Sequence, residues 1–290
     1  MEKKDNLAIQ IEGLSKVYSN FKLNNINLEI PRGCIVGFVG ENGAGKTTVI
    51  KSILNLIQKD SGNINVLGKD HITCEKEIKE KIGVVFDESG FHDFLRLSDI
   101  SYIMKNIYKD WDNVIFNNYC LKFNLPKKEF YKNFSRGMKM KLSIAVALSH
   151  HAELLILDEA TSGLDPVVRD EILDIFLEFI QDDKNTIFVS SHIISDLEKV
   201  ADYIAFIHKG ELLFCKSKDE LLYEYGILHC TKEEYEKLDH THTVGIRSNL
   251  FGVDVLVDNM AEVHKKDPSL TIEHSKLEEI ILYIVRGEGK

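Results

Sequence analysis

Four short stretches carry side chains whose types and spacing suit chemistry on a polyphosphate. The first is Gly40-Glu-Asn-Gly-Ala-Gly45-Lys46-Thr47, which fits G-x-x-x-x-G-K-[ST]. Glycines in such a loop let successive backbone N–H groups turn inward as a nest for phosphate oxygens, here along Gly40, Asn42, Gly43, Ala44 and Gly45. Lys46 then reaches the β- and γ-phosphates as a point charge. The Thr47 hydroxyl can ligate Mg2+, and Thr48 can reach the α-phosphate. An apolar run, Cys34 to Val39, precedes the loop, and Val49, Ile50, Ile53, Leu54 and Ile57 follow at helical spacing. Strand, glycine loop and helix are the context this motif requires.

The second stretch, LLILDEATSGLD at residues 154–165, reads as a buried strand ending in Asp158 and Glu159. An acid at a strand end beside a phosphate nest is placed to hold Mg2+, usually through water. The next carboxylate, Glu159, can orient or deprotonate an attacking water. The third stretch, TIFVSSH, is a strand from Thr186 to Ser190 with His192 just past its end. Ligands gather at the carboxyl ends of strands in α/β sheets, and an imidazole there can hydrogen-bond a γ-phosphate. The fourth, NFSRGMKMKLSIAVALS at 133–149, is a Ser-Arg-Gly turn running into a helix. A helix start offers free N–H groups and a positive dipole end to an anion.

Alternating strand and helix patterns between residues 34 and 208 predict the elements that position these groups: a mostly parallel sheet with helices on both faces. Residues 7–30 read as two antiparallel edge strands, and 88–150 as a helical subdomain. Asp165-Pro166 reads as an N-cap and first helical residue. YIAFIHKGELLF at 203–214 reads as a hairpin across Lys209-Gly210. The segment 226–290 reads as a small α+β appendix: TVGI and GVDVLVD as strands, and SKLEEIILYIVRG as a helix with Ser275 and Glu278 at capping-box spacing. His240 and His242 are expected in exposed loop. His150 and His151 are expected in loop and not as ligands. Met138, Met140 and Leu142 suit a core face, and Lys139 and Lys141 a solvated one.

The ordered set GENGAGKTT (40–48), FSRGMKMK (134–141), LLILDE (154–159), SGLD (162–165) and His192 resembles the ATP-binding cassette (ABC) ATPases over about residues 7–225. The resemblance implies an α/β phosphate-loop NTPase of ABC type over residues 1–225, with an antiparallel β edge subdomain, a helical subdomain and the appendix behind it. It implies ATP hydrolysis with Mg2+ as cofactor. Two such cassettes pair head to tail in this family, so Ser135 and Gly137 would act on the nucleotide held by a second chain. One set of motifs per chain makes a homodimer the simplest assembly. Tyr18 matches the aromatic that stacks on adenine, though a packing tyrosine is the alternative. Asp165 matches the aspartate of the loop coupling the two sites.

Three positions depart from the family pattern: Asp87, Arg136 and Met138, the last in place of the signature glutamine. Asp87, in IGVVFDES, falls where glutamine usually contacts Mg2+ and the attacking water. It either fills that role with altered Mg2+ dependence or is a loop acid away from the metal. Arg136 replaces a glycine of the LSGGQ-like signature, and either adds a charge-assisted phosphate contact or points into solvent. Phe91, Phe94, Tyr102 and Tyr108 lie in the region that receives the membrane subunit in transporters, with ordinary core as the alternative.

The single cassette, FDES, SRGMKMKL and short tail look most like bacterial cassettes for drug and antimicrobial-peptide export, including exporters of phenol-soluble modulins. The expected partner is a separately encoded transmembrane permease, and the expected place the cytoplasmic face of the membrane. An importer ATPase and a non-transport ABC ATPase are the alternatives. A net charge of −10 over 290 residues argues against a nucleic-acid partner. No apolar run approaches the roughly 20 residues that span a bilayer. Five scattered cysteines without a C-x-x-C pair read as reduced thiols, with no metal site.

Overall fold

The computed structural model describes residues 6–87, 90–268 and 270–287. The chain divides into two compact units, one ending at Cys215 and one starting at Lys216. In the first unit the elements run β1 (Leu7–Val17), β2 (Lys22–Pro31), β3 (Ile35–Val39), α1 (Lys46–Ile53), β4 (Ser61–Val66), β5 (Lys69–Asp70), α2 (Glu75–Lys79) and β6 (Ile82–Val85). Then come α3 (Leu97–Ile107), α4 (Asn113–Lys122), α5 (Arg136–Leu148), β7 (Leu154–Asp158), α6 (Pro166–Phe179), β8 (Thr186–Ser191), α7 (Ile194–Val200), β9 (Tyr203–His208) and β10 (Glu211–Ser217).

Strands β10-β9-β3-β8-β7-β6 form one sheet in that order. The pairs β3–β8, β3–β9, β7–β8 and β6–β7 are all parallel. Every residue of β3, β7 and β8 is buried, because helices cover both faces of a parallel sheet and leave no wet side. Phe38 and Phe188 meet across neighbouring strands with ring centroids 5.2 Å apart. Each such fully buried side chain contributes roughly 1.5–3 kcal/mol of transfer free energy.

A second sheet, β2-β1-β4-β5, is antiparallel. The expectation of two edge strands over residues 7–30 therefore holds only for β2. β4 pairs with the other side of β1 from Ile9↔Val66 to Ser15↔Ser61, so β1 is interior. The hairpin between β9 and β10 turns at Lys209 and Gly210, both at positive φ (47° and 81°). That is the two-residue turn whose twist matches antiparallel strands. Between β6 and β7 the helical segment packs Met140 and Leu142 inward. Lys141 is not a solvated residue as expected: its ammonium pairs with Glu171 and its side chain is only 12% exposed. His150 is buried in the turn after α5, where Tyr108 stacks on it at 3.9 Å. Phe94 and Tyr102 are exposed, so the ordinary-core alternative fails for them.

The second unit contains α8 (Lys218–Glu224), β11 (Gly226–Cys230), α9 (Lys232–Lys237), β12 (Thr243–Ser248), β13 (Val253–Val257), α10 (Met260–Lys266), β14 (Thr271–His274) and α11 (Leu277–Arg286). Its antiparallel sheet has the order β12-β13-β11-β14. Leu228, Val253, Val255, Val257 and Val263 form its core. The sequence boundary after 225 and the structural division after 215 differ chiefly by α8, which packs against α11. The cap of α11 is one residue later than expected. Lys276 is the cap, with its N–H donating to Glu279 at 2.8 Å, while Ser275 is buried and donates to the Tyr225 carbonyl at 3.1 Å. His242 is not free loop either: its two ring nitrogens face Asp258 and Glu262, each at 2.9 Å.

Candidate functional site

The carboxyl ends of β3, β8, β7 and β6 lie side by side, and the motif residues sit just beyond them. Register fixes this: Val39 pairs with Ser191, Asp158 with Ser190, and Val85 with Leu157. Sequence positions more than a hundred apart thus share one edge of the sheet.

The glycine loop closes on itself through Ala44 N–H donating to the Glu41 carbonyl at 3.0 Å, and through Val49 N–H donating to Gly45 at 3.0 Å. Gly45 caps α1 at φ 115°, a backbone conformation that side chains oppose. A Cβ there would also lie 2.7 Å from Leu23 and 2.8 Å from Phe21. Gly43 is at φ 82° with open space around it, Asn42 is exposed, and Thr48 is half-buried. Lys46 is 6% exposed, and its ammonium is held by the Gly40 carbonyl at 2.7 Å and by Glu159 Oε1 at 3.2 Å.

Asp158 is 6% exposed, with both oxygens engaged. Thr47 Oγ1 donates to Oδ2 at 2.8 Å, and Ser190 Oγ donates to Oδ1 at 2.6 Å. A hydroxyl and a carboxylate in contact form a hard-oxygen donor set that suits Mg2+ bound through one or two protein oxygens, with phosphate and water completing the shell. Among the described residues no group of three or more His, Cys, Asp or Glu could hold a metal ion. Glu159 stands at φ 55°. Its N–H donates to the Ser190 carbonyl at 3.2 Å and contacts Ser190 Oγ at 3.1 Å. Its carboxylate is held between Lys46 and His192 Nδ1, the latter at 2.6 Å from Oε2. With Nδ1–H donated to the carboxylate, the Nε2 edge of the ring is left for another partner. Lys46, Thr47, Asp158, Glu159 and His192 are therefore one cluster.

The other sequence candidates lie outside that cluster. Tyr18 is 42% exposed on the turn between β1 and β2, with Lys16 Nζ at 5.6 Å from its ring centre. That exposure argues against the packing alternative. Ser135 caps α5, accepting from Met138 N–H at 3.2 Å, and Gly137 faces Val168, which a Cβ would approach to 3.3 Å. Asp165 caps α6 by accepting from Val168 N–H at 3.0 Å. Arg136 pairs with Asp87 of the same chain.

Sequence reasoning missed Ser190, whose hydroxyl donates to the Asp158 carboxylate and accepts from the Glu159 backbone N–H, and Phe21, whose ring fills the space beside Gly45. The doubled serine of TIFVSSH was the available signal for the first. Nothing local signals the second. The Cys34 thiol at the foot of β3 is pushed up to about 12 by burial and by the Asp202 carboxylate, which makes it an unreactive core group.

A sequence-family model described as "ABC transporter" matches residues 23–162. The bacitracin transport ATP-binding protein BcrA of Bacillus licheniformis is 37% identical over 210 residues, covering 71% of this chain and 68% of its own length. The lantibiotic transport ATP-binding protein SrtF of Streptococcus pyogenes is 35% identical, covering 73% of this chain and 91% of its own length. The solved structure of cbiO1 from Clostridium perfringens, part of the ABC transporter complex cbiONQ, superposes with a TM-score of 0.65 at 25% identity. It covers 74% of this chain and 90% of that one.

Proposed function

Since the chain belongs to the ABC transporter ATP-binding family and so hydrolyses ATP to power transport, we propose that it drives export of antimicrobial peptides or related drugs. The peptide class rests on the relatives, whose names tie them to bacitracin and lantibiotic transport. The observation that carries the chemistry is the cluster in which Glu159 is fixed between Lys46 and His192 beside the Thr47–Asp158 pair. In this reading the loop from Gly40 to Thr48 binds the phosphates of ATP. Thr47 and Asp158 hold Mg2+, which draws charge off the phosphates when bound. Glu159 takes the proton of the attacking water, and His192 orients Glu159 and meets the γ-phosphate. Tyr18 stacks on adenine. Ser135, Arg136 and Gly137 act on the nucleotide of a second, identical chain.

A groove of about 650 Å³ in the first unit supports a membrane partner. Leu56, Ile72, Phe86 and Ile107 line it, with Lys76 and Glu80 also in the lining. Leu56, Ile72 and Ile107 are each at least half exposed, an apolar surface suited to a helix of a separately encoded permease at the cytoplasmic face of the membrane. No helix among the described residues is long and apolar enough to cross a membrane. The test is to purify the tagged full chain from its native cell in mild detergent. A co-purifying polytopic membrane protein, with peptide export lost when the chain is deleted, is the expected result. Peptide uptake, or recovery only with non-membrane partners, overturns the exporter reading.

A further inference from the structure

Two of the residues that depart from the family pattern engage each other. Asp87 stands two residues past the end of β6 and Arg136 at the start of α5, and Arg136 Nη2 donates to Asp87 Oδ1. The same guanidinium lies over Gly163, where a Cβ would come within 2.6 Å of Nη1. Gly163 is at φ 65° in the turn between Glu159 and Asp165. One side chain therefore joins three loops: the one after β6, the signature turn, and the turn leading to α6.

By register the backbone of Asp87 lies beside that of Glu159, the neighbour of Asp158. Val85 and Leu157 are paired in parallel, so Asp87 and Glu159 each lie two residues beyond the same rung, on strands about 4.8 Å apart. Yet the Asp87 carboxylate is turned to Arg136, and Asp158 is left to Thr47 and Ser190. Arg136 and Asp87 are 51% and 46% exposed. A pair this wet is weak and readily exchanged for a stronger partner.

We propose that Arg136 is a positioning residue for Asp87, holding its carboxylate to the signature turn in competition with Mg2+ bound beside Asp158. A metal-loaded nucleotide in one chain then frees the guanidinium of that same chain for a phosphate of the second chain. This last step rests on the proposed action of the signature turn across the dimer, whereas the competition for Asp87 does not.

The test is calorimetric titration of the full chain with Mg2+–ADP, comparing the parent with Arg136→Gln, Arg136→Lys, Asp87→Asn and the Arg136→Gln/Asp87→Asn double variant. Arg136→Gln is expected to tighten Mg2+–ADP binding several-fold, with Arg136→Lys in between. In the Asp87→Asn background, Arg136→Gln is expected to have no further effect. An unchanged affinity in Arg136→Gln, or the same gain with and without the Asp87 carboxylate, overturns the proposal. Absence of an ATP-induced dimer in Glu159→Gln would instead count against the head-to-tail assembly and leave the ADP cycle readable.

Discussion

At the scale of single residues, the cluster assigns different work to two adjacent acids. Asp158 is buried and saturated by hydroxyls, which suits a metal-side carboxylate, whereas the Glu159 carboxylate sits between a lysine and a histidine. Glu159→Gln keeps the shape and removes the base, so hydrolysis should fall about 10²–10⁴-fold while ATP stays bound. Steady-state phosphate release together with retained radiolabelled ATP checks this; turnover at the parent rate would refute the base assignment. Ser190→Ala removes the hydroxyl that holds Asp158 at 2.6 Å and contacts the Glu159 N–H. Losing such a supporting partner should raise the Mg2+ needed for half-maximal activity about 10–100-fold, read from a Mg2+ titration of ATPase rate.

At the scale of elements, the glycine loop is braced from outside its own segment. The Gly210 N–H in the β9–β10 turn donates to the Ala44 carbonyl at 3.0 Å, and the Gly210 carbonyl accepts from Asn24 N–H at 2.9 Å. A Cβ on Gly210 would fall 1.9 Å from the Lys22 carbonyl oxygen, at a φ of 81° that L-residues resist. Gly210→Ala should therefore destabilise the chain by more than about 1 kcal/mol and weaken ADP binding as well. Denaturant unfolding and nucleotide titration of the same sample check both halves; an unshifted midpoint would show that the turn relaxes without cost. The hairpin itself was legible from Lys209-Gly210 between apolar runs. Its contact with Ala44, 166 residues upstream of Gly210 in the numbering, was not, because it exists only once β9 lies beside β3.

At the scale of the whole molecule, the two units carry histidines that titrate in opposite senses. Burial holds His150 below its ordinary value, and His71 likewise. The folded first unit therefore resists protonation, and the stability these groups contribute above about pH 6.5 is lost as pH falls below it. In the second unit the Asp258 carboxylate raises His242, and the Asp254 carboxylate raises His229. Their contribution is complete below about pH 6.5 and is lost as pH rises through the raised values. His242→Asn should accordingly lower the unfolding midpoint of the second unit at about pH 6 and have little effect at about pH 9. Equal shifts at both pH values in a thermal scan would discard the ion-pair account. Across two chains, mixing Ser135→Ala with Lys46→Ala should restore ATPase activity that neither has alone, because one site of the mixed dimer is intact. No recovery on mixing would argue against action in trans.

The spacing of GENGAGKTT, the acids closing LLILDE and the apolar runs of β3, β7 and β8 were sufficient to predict a parallel sheet with a polyphosphate site at its carboxyl edge. Those signals are local: a glycine loop, a buried strand and a capped helix each depend on neighbours within a few residues. The interior place of β1, the serine that holds the Asp158 carboxylate, the partner of Arg136 and the carboxylates around His242 were decided by tertiary structure. Each joins segments that are remote in sequence, through strand order, register and side-chain reach. None of these leaves a local pattern, because a contact across the fold constrains two positions jointly and neither one alone.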